Sequence, residues 1–338
     1  MNDSEQAPGI TPVGSGQSPE LREPTLEASA LRPWLLRRST WHRIFVGPNG
    51  FRAGWRLLLF ALIAWILASP LLSLAHLLER RLQQGFTPFR VLLEEGSLFL
   101  AILCSALVMG RIERRSLSEY ALPGRGAFGR QFWLGVIWGF GALTGLLLIL
   151  RAAHAFSFGS LALGGSRLVL DAVLWAIAFL CVGFFEEFLM RGYALYTLTT
   201  GVGFWPAAVL LSALFGAGHL RNPGEDWMGA LSAVLIGLFF SLTVRRTGSL
   251  WFAIGMHSMW DYSESFLYSV PDSGMMVEGH LLNSSFHGPR WLTGGSVGPE
   301  GSALVFVVIA LIFVLFDRLH RQVRFPRASA RQPSRGDV

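Results

Sequence analysis

The chain has 338 residues, of which 52% are hydrophobic and only 15% are charged, and its formal net charge is +6. Its mean hydropathy is +0.46. A water-soluble domain carries about 25% charged residues. The composition therefore excludes most soluble classes and predicts an integral membrane protein.

The basic residues do not indicate a nucleic-acid-binding protein. All 28 are arginines, and many lie beside apolar segments, as in Arg37-Arg38, Arg114-Arg115 and Arg245-Arg246. Loops of membrane proteins carry their positive charge in this way, and no nucleic-acid-binding motif accompanies these arginines. We therefore expect a lipid bilayer, and no nucleic acid, as the surroundings of the chain.

The N-terminal region precedes the apolar part of the chain. Residues 1–31 are rich in Pro, Gly, Ser, Glu and Gln without apolar periodicity, which predicts a disordered tail. Residues 32–56 are basic and aromatic, as is typical of a juxtamembrane segment at the level of the lipid headgroups. A transmembrane domain is expected over residues 57–316, followed by a basic cytoplasmic tail over residues 317–338.

Eight apolar segments approach the length of about 20 residues that a membrane helix needs. They are Leu57–Leu78, Val91–Gly110, Phe132–Leu150, Leu168–Met190, Phe204–Gly218, Trp227–Val244, Leu250–Val270 and Ser302–Phe316. The fifth and the eighth are short. The sequence therefore predicts an all-α, polytopic membrane helix bundle with about eight transmembrane helices.

The arginines also predict the orientation of this bundle. With the N-terminus inside and eight spans, the inner segments collect 21 of the 28 arginines. Cytoplasmic loops of membrane proteins carry such an excess of arginine and lysine. We therefore expect both termini in the cytoplasm.

Ionisable residues inside a membrane segment are costly and usually face the bundle interior or a water-filled cavity. Glu94 and Glu95 lie near the end of the second segment, where we expect interfacial water to solvate them. The fourth segment ends with Glu186, Glu187 and Arg191. Glu187 and Arg191 are spaced i,i+4 in the order that favours an ion pair. Glu186 would then remain unpaired and available for catalysis. When this segment is considered alone, it is equally well interpreted as a helix end at which water and headgroups solvate both carboxylates.

Two further segments carry histidines. His219 ends the fifth segment, one helical turn after Phe215, and the seventh contains His257, Asp261 and Glu264 at i, i+4 and i+7. A histidine and a carboxylate one turn apart can share a metal ion or hydrogen-bond each other. A polar stripe that lines a helix contact is the competing interpretation. Together, two histidines and two carboxylates make a plausible hydrolytic site.

These residues form three motifs in order along the chain: E-E-x-x-x-R (Glu186, Glu187, Arg191), F-x-x-x-H (Phe215, His219) and H-x-x-x-N/D (His257, Asp261). The set closely resembles the CPBP family of intramembrane proteases. That family includes the CAAX prenyl endopeptidase and bacterial bacteriocin-processing and self-immunity proteins. The resemblance covers about residues 134–266, the expected core of the transmembrane domain.

The resemblance implies an all-helical membrane endopeptidase that cleaves a protein or peptide substrate in a cavity of the bundle. Glu186 then matches the catalytic glutamate, and His219, His257 and Asp261 complete the catalytic set. Glu187, Arg191 and Phe215 match supporting positions. The implied location is a multi-pass protein of the bacterial inner membrane.

The family also raises the question of a metal. With zinc, His219, His257 and Asp261 would be the ligands and Glu186 the general base. Without zinc, Glu186 and His219 would activate water directly, and the seventh segment would stabilise the oxyanion. Asp261 occupies a position that is often Asn in the family; an ionised Asp cannot donate to an oxyanion, which favours the metal slightly.

An estimate of how deep each residue lies in the membrane conflicts with placing all of them in one catalytic site. At 1.5 Å per residue, Glu186 lies about 8 Å and His257 about 12 Å from the inner surface, whereas His219, counted from Trp205, lies about 21 Å from it. A fifth helix that begins in the cytoplasm would remove the conflict. Two alternatives to a protease also stay open: a non-proteolytic scaffold or immunity protein of the same fold, and a proton-coupled transporter.

Overall fold

The computed structural model describes residues 45–47, 50–82 and 85–325. The chain divides after Gly47 into two units, and the described part of the first is residues 45–47, with a two-residue strand β1 (Val46–Gly47). The predicted disordered tail (residues 1–31), residues 32–44 of the predicted juxtamembrane segment and residues 326–338 of the predicted C-terminal tail lie outside the described residues. All elements that follow belong to the second unit.

The second unit is built almost entirely of helices. They are α1 (Ala53–Leu82), α2 (Pro88–Glu113), α3 (Arg130–Ala152), α4 (Gly165–Glu187), α5 (Ala194–Val202), α6 (Phe204–His219), α7 (Trp227–Thr247), α8 (Trp251–Asp261), α9 (Arg290–Thr293) and α10 (Ala303–Leu319). Short 3₁₀ turns lie at Leu117–Tyr120 and Pro299–Gly301. The strands are two residues each: β2 (Gly50–Phe51), β3 (Phe156–Ser157) and β4 (Ser285–Phe286), of which β3 and β4 pair antiparallel. The predicted all-α class is confirmed.

Each of the eight predicted apolar segments overlaps a helical stretch of the structure, and the seventh, Leu250–Val270, extends three residues beyond the end of its helical stretch at Leu267. Five stretches are long and apolar enough to cross a membrane: α1, α2, α3, the continuous stretch from α4 to α5, and α7. Helix α6 has 16 residues, α8 has 11 and α10 has 17. The count of eight spans therefore stays a prediction.

The outer surface of the bundle is apolar. Leu62 is 51% exposed, Trp65 67% and Ile137 64%, whereas Glu187 and Arg191 are almost completely buried. Large exposed apolar surfaces mark contact with a partner or a membrane, and helices satisfy their backbone hydrogen bonds internally, as the bilayer interior requires. The chain is therefore a multi-pass integral membrane protein.

Helices α3 and α8 cross in close contact. Gly135 and Gly139 of α3 form a G-x-x-x-G pattern, which allows two helix backbones to approach. A Cβ atom at Gly135 would overlap the carbonyl oxygen of Phe252, and one at Gly139 would overlap that of Met256. The next residue of α8 is His257, so this backbone contact fixes the position of a site residue.

Both helices that carry site carboxylates continue into a π-helical turn. The turn Phe188–Tyr193 follows α4 directly after Glu187, and Gly192 within it has φ −86° and ψ −115°. The turn Tyr262–Leu267 follows α8 directly after Asp261. Such turns shift the register of a helix and are frequent at functional sites.

We predict that Gly139→Ala destabilises the bundle, because its new methyl group would push α3 away from the backbone of α8. Overpacking of this kind costs about 1–3 kcal/mol. The measurement is the unfolding temperature of the purified protein in detergent. Gly141→Ala is the matched control, because nothing lies within 4 Å of a Cβ at that position. Equal unfolding temperatures for the two variants would contradict the close crossing.

Candidate active site

Glu187 is the centre of a buried charge cluster that joins α4 to α8. Its side chain is 0% exposed and that of Arg191 is 1% exposed. Arg191 Nη1 donates to Glu187 Oε1 at 3.0 Å, which confirms the predicted i,i+4 ion pair. The same oxygen lies 2.9 Å from His257 Nδ1, a contact that the sequence did not predict. One carboxylate thus binds a guanidinium and an imidazole together.

His257 lies among three carboxylates. Its Nδ1 contacts Glu187, and its Nε2 lies 3.4 Å from Glu186 Oε2 and 3.5 Å from Asp261 Oδ2. Ionised carboxylates only accept hydrogen bonds. An imidazolium with a proton on each nitrogen therefore matches these surroundings, and His257 couples Glu186 on α4 to Asp261 on α8.

Glu186 and Glu187 differ in their access to water. The side chain of Glu186 is 23% exposed and lines an internal cavity of the bundle, whereas that of Glu187 is fully buried. Adjacent helical residues point about 100° apart, so one faces the packed interior and the other the cavity. This arrangement agrees with the expectation that Arg191 neutralises Glu187 and leaves Glu186 accessible.

His219 reaches the same cavity because α5 extends the fourth segment beyond its predicted end. The chain runs from Glu186 to Val202, turns at Gly203 and returns from Phe204 to His219 over almost the same number of residues. Helix α5 packs against α6. Because α6 runs back over about the length that separates Glu186 from Val202, its last residue, His219, returns to the level of Glu186. The estimate from Trp205, which placed His219 nearer the outer surface, is therefore wrong: His219 lines the cavity together with Glu186 and His257.

One nitrogen of His219 has a fixed role. Nδ1 lies 2.8 Å from the carbonyl oxygen of Phe215. A carbonyl oxygen only accepts hydrogen bonds, so Nδ1 carries the proton in this contact. Nε2 is then the nitrogen left for chemistry in the cavity, as donor or acceptor according to its protonation.

Two phenylalanine rings cover the charged groups. Arg191 Cζ lies 4.4 Å from the centroid of the Phe215 ring, a cation–π distance. Phe240 stacks on the His257 imidazole with ring centroids 5.5 Å apart and an interplanar angle of 17°. Phe215 also contacts the His219 ring at 4.6 Å between centroids. The motif residue Phe215 therefore links the ion pair to the second histidine.

The cavity has a volume of about 510 Å³, enough for several amino-acid side chains. Its apolar wall comes from residues such as Phe179, Val182 and Ile236. Its polar wall contains Arg90, Glu94, Glu95, Glu186, His219, Asn222, His257, Asp261, Asp272, Ser273 and Glu300. A largely apolar cleft with a few convergent polar groups is the usual form of a binding site.

Several of these polar residues were not found from the sequence. Glu95 was expected in interfacial water, but it lines the cavity and its Oε2 is buried without a hydrogen-bond partner among the described residues, so that expectation is wrong. Glu94 lines the cavity beside it. Asp272 and Glu300 lie in loops, where the sequence offered no periodicity or motif to place them.

Two carboxyl groups in loops beside the site have raised pKa values. Burial raises the pKa of Asp272 well above its usual range, and the neighbouring carboxylates of Asp261 and Glu300 raise it further. Burial also raises the pKa of Glu225 to about 7, although the backbone N–H of Asp226 acts in the opposite direction. The loop side of the site is therefore crowded with carboxyl groups that resist ionisation.

The zinc hypothesis can be compared with the geometry. In both histidines Nδ1 contacts an oxygen, which is the usual arrangement around a metal-bound histidine. Nε2 of His257 lies near the carboxylates of Glu186 and Asp261. The donor chemistry of His219, His257 and Asp261 therefore fits zinc. Their ligand atoms, however, do not form a group lying mutually within 4.8 Å; the groups of that kind among the described residues are His76, Glu79 and Glu94, and Glu264, Asp272 and Glu300.

Fold and site together define a multi-pass helical membrane protein with a carboxylate–imidazole cluster on an internal cavity. Residues 168–263 match the family of type II CAAX prenyl endopeptidase Rce1-like proteins, which confirms the resemblance carried by the three motifs. The matched segment includes Glu186, His219, His257 and Asp261. No curated protein and no solved structure gave a match.

We predict that Glu187→Gln lowers the yield of folded protein and its unfolding temperature. Arg191 would remain fully buried without its charged partner, and breaking a buried pair from one side costs about 3–5 kcal/mol. Glu186→Gln is the matched control, since it makes the same exchange at the neighbouring residue, on the cavity wall. For both variants, size-exclusion chromatography measures the yield of folded protein, and thermal unfolding in detergent measures the unfolding temperature. A Glu186→Gln variant less stable than Glu187→Gln would contradict this division of roles.

Proposed function

We propose that this protein is an intramembrane endopeptidase that hydrolyses a peptide bond in the cavity between α4, α6 and α8. The observation that carries the proposal is the position of Glu186. Its carboxylate is accessible from the cavity and lies 3.4 Å from His257, while the adjacent Glu187 is occupied by Arg191. The match of residues 168–263 to a protease family supports the same function.

The chain supplies the groups that hydrolysis requires. Glu186 takes a proton from a water molecule as that water attacks the carbonyl carbon, and His219 assists through its Nε2. His257, held by Glu187 through Nδ1, donates a hydrogen bond from its Nε2–H to the developing oxyanion and keeps that proton. Glu186 then gives its proton to the leaving amine, and the C–N bond breaks. The products are a carboxylic acid and an amine, and Glu186 returns to its ionised starting state.

Asp261 and Glu187 are positioning residues in this scheme. They hold opposite sides of the His257 ring, which fixes its orientation. A zinc ion, if the enzyme uses one, would be held by His219, His257 and Asp261. When bound, such an ion lowers the pKa of its water and polarises the carbonyl group.

We further propose that both termini face the cytoplasm and that the host membrane is the bacterial inner membrane. The excess of arginine in the inner segments supports the orientation. The substrate is a protein or peptide that reaches the cavity from the bilayer or its surface. A prenyl group on that substrate is not required by the chemistry of the site.

We predict that Glu186→Gln abolishes proteolysis while the protein still accumulates in the membrane. The substitution removes the base and changes little volume, and a general base contributes roughly 10²–10⁴-fold to a rate. Membrane peptides from cells with the wild type, Glu186→Gln or no protein are compared by mass spectrometry. Peptides that end at new termini should appear with the wild type alone.

Asp317→Asn is the control for this experiment, because it exchanges a carboxylate for an amide on the half-exposed end of α10. It should give the wild-type peptides. Full activity of purified Glu186→Gln would end the assignment. A wild type that yields no new termini, with a phenotype that Glu186→Gln retains, would favour the scaffold.

We predict that Asp261→Asn distinguishes the two forms of the mechanism. If His219, His257 and Asp261 bind zinc, the neutral amide is a weaker ligand, so activity falls and added zinc partly restores it by mass action. If no metal acts, the introduced amide can donate to the oxyanion, and activity holds without zinc. An active Asp261→Asn that ignores chelators and contains no stoichiometric metal would remove zinc from the mechanism.

A further inference from the structure

A second group of carboxylates lies at the loop end of the cavity. Glu264 belongs to the π turn after α8, Asp272 to the loop that follows it, and Glu300 to the 3₁₀ turn before α10. One carboxylate oxygen of each lies within 4.8 Å of those of the other two. All three residues lie outside the segment that matches the protease family.

Glu264 lacks a partner among the described residues. Its side chain is fully buried, and neither of its carboxylate oxygens has a hydrogen-bond partner. The indole N–H of Trp260 lies near, but it donates to Glu300 Oε1 at 3.1 Å. A buried carboxylate without a partner is strongly unfavourable. The group therefore calls for a cation or a proton.

The other two carboxylates are only partly satisfied by neutral donors. Asp272 accepts from Ser265 Oγ at 2.9 Å, and Glu300 accepts from Ser273 Oγ at 2.7 Å and from the Ser273 backbone at 3.2 Å. No arginine or histidine in the described ranges forms an ion pair with any of the three. Three acidic groups thus converge without a protein cation.

The loops close tightly around this group. Gly298 has φ +96°, and a Cβ atom there would lie 3.4 Å from Glu264 Oε1 and would overlap the carbonyl oxygen of Pro271. The backbone N–H of Gly274 donates to the carbonyl of Val297 at 3.1 Å. Two loop segments therefore pack together beside Glu264.

We propose that Glu264, Asp272 and Glu300 bind a divalent cation, and that this cation is calcium. Three carboxylates without a histidine or cysteine suit a hard cation. Calcium binds carboxylate and backbone carbonyl oxygens at about 2.3–2.6 Å, so two oxygens on opposite sides of one ion lie about 5 Å apart. Oxygens that all lie within 4.8 Å of one another can therefore contact a single ion of this kind.

The bound cation would connect the loops to the helix that carries His257 and Asp261. Glu264 lies on the continuation of α8, whereas Asp272 and Glu300 belong to the loops that line the cavity. Loading the site therefore holds one wall of the cavity in place. This inference does not depend on the proposed proteolysis, because it concerns binding alone.

The test is equilibrium dialysis of the chelator-treated, full-length protein in detergent against radioactive calcium. We expect about one calcium ion per chain in the wild type and at least tenfold weaker binding in Asp272→Asn. Asp272 lies in a loop, so this variant is expected to fold even if Glu264→Gln does not. Asp317→Asn is the control and should bind calcium like the wild type. Calcium should also raise the unfolding temperature of the wild type and the control more than that of Asp272→Asn.

The catalytic cluster is the alternative location for a bound ion, and a second variant separates the two. Asp261→Asn should keep its calcium, because Asp261 is not among the three ligands. Loss of calcium in Asp261→Asn together with unchanged binding in Asp272→Asn would overturn the proposal. So would a chelator-treated wild type that binds no calcium at millimolar concentration, which would mean that protons satisfy the group. Neither result bears on whether peptides are cleaved.

Discussion

The buried contact of Glu187 with Arg191 and His257 is the constraint on which the site depends. It places a negative and a positive charge where less than a few per cent of either side chain is exposed, so neither can be removed without leaving the other unpaired. The surrounding sequence accommodates it. Gly237 on α7 leaves space that a Cβ atom would take from the Arg191 guanidinium, and Phe215 covers the face of that group. The ion pair thus lies where α4 and its π turn meet α6, α7 and α8.

This constraint also separates two neighbouring residues of the same type. Glu186 and Glu187 have the same side chain, but the helix turns one of them into the packed interior and the other towards the cavity. The buried carboxylate binds Arg191 and orients His257 through Nδ1. The accessible one lies near Nε2 of the same ring. Environment, rather than residue type, therefore decides which carboxylate can exchange a proton with water.

The sequence predicts the local features well and the long-range ones poorly. Apolar length located all eight helical segments, and the i,i+4 spacing predicted the pair of Glu187 with Arg191, because both depend on residues close in the chain. The depth of His219 was wrong because nothing in the fourth segment showed that α5 would continue it beyond Met190. Glu95, Asp272 and Glu300 were missed for a similar reason. Their approach to the site depends on how helices and loops pack, and the local sequence pattern does not predict that packing.

Stability alone does not account for this concentration of charge. Replacing a buried ion pair by well-packed apolar residues is often neutral or stabilising. The tight crossing of α3 with α8, made by glycines and aromatic rings, shows that helices of this bundle come into contact without charged groups. A bundle selected only to persist in lipid would gain nothing from placing Glu186, Glu187, His257 and Asp261 around one another. A reaction that moves protons inside a membrane needs such groups held at fixed distances and partly shielded from water. The energetic cost of the cluster therefore supports the chemistry proposed for the cavity that it borders.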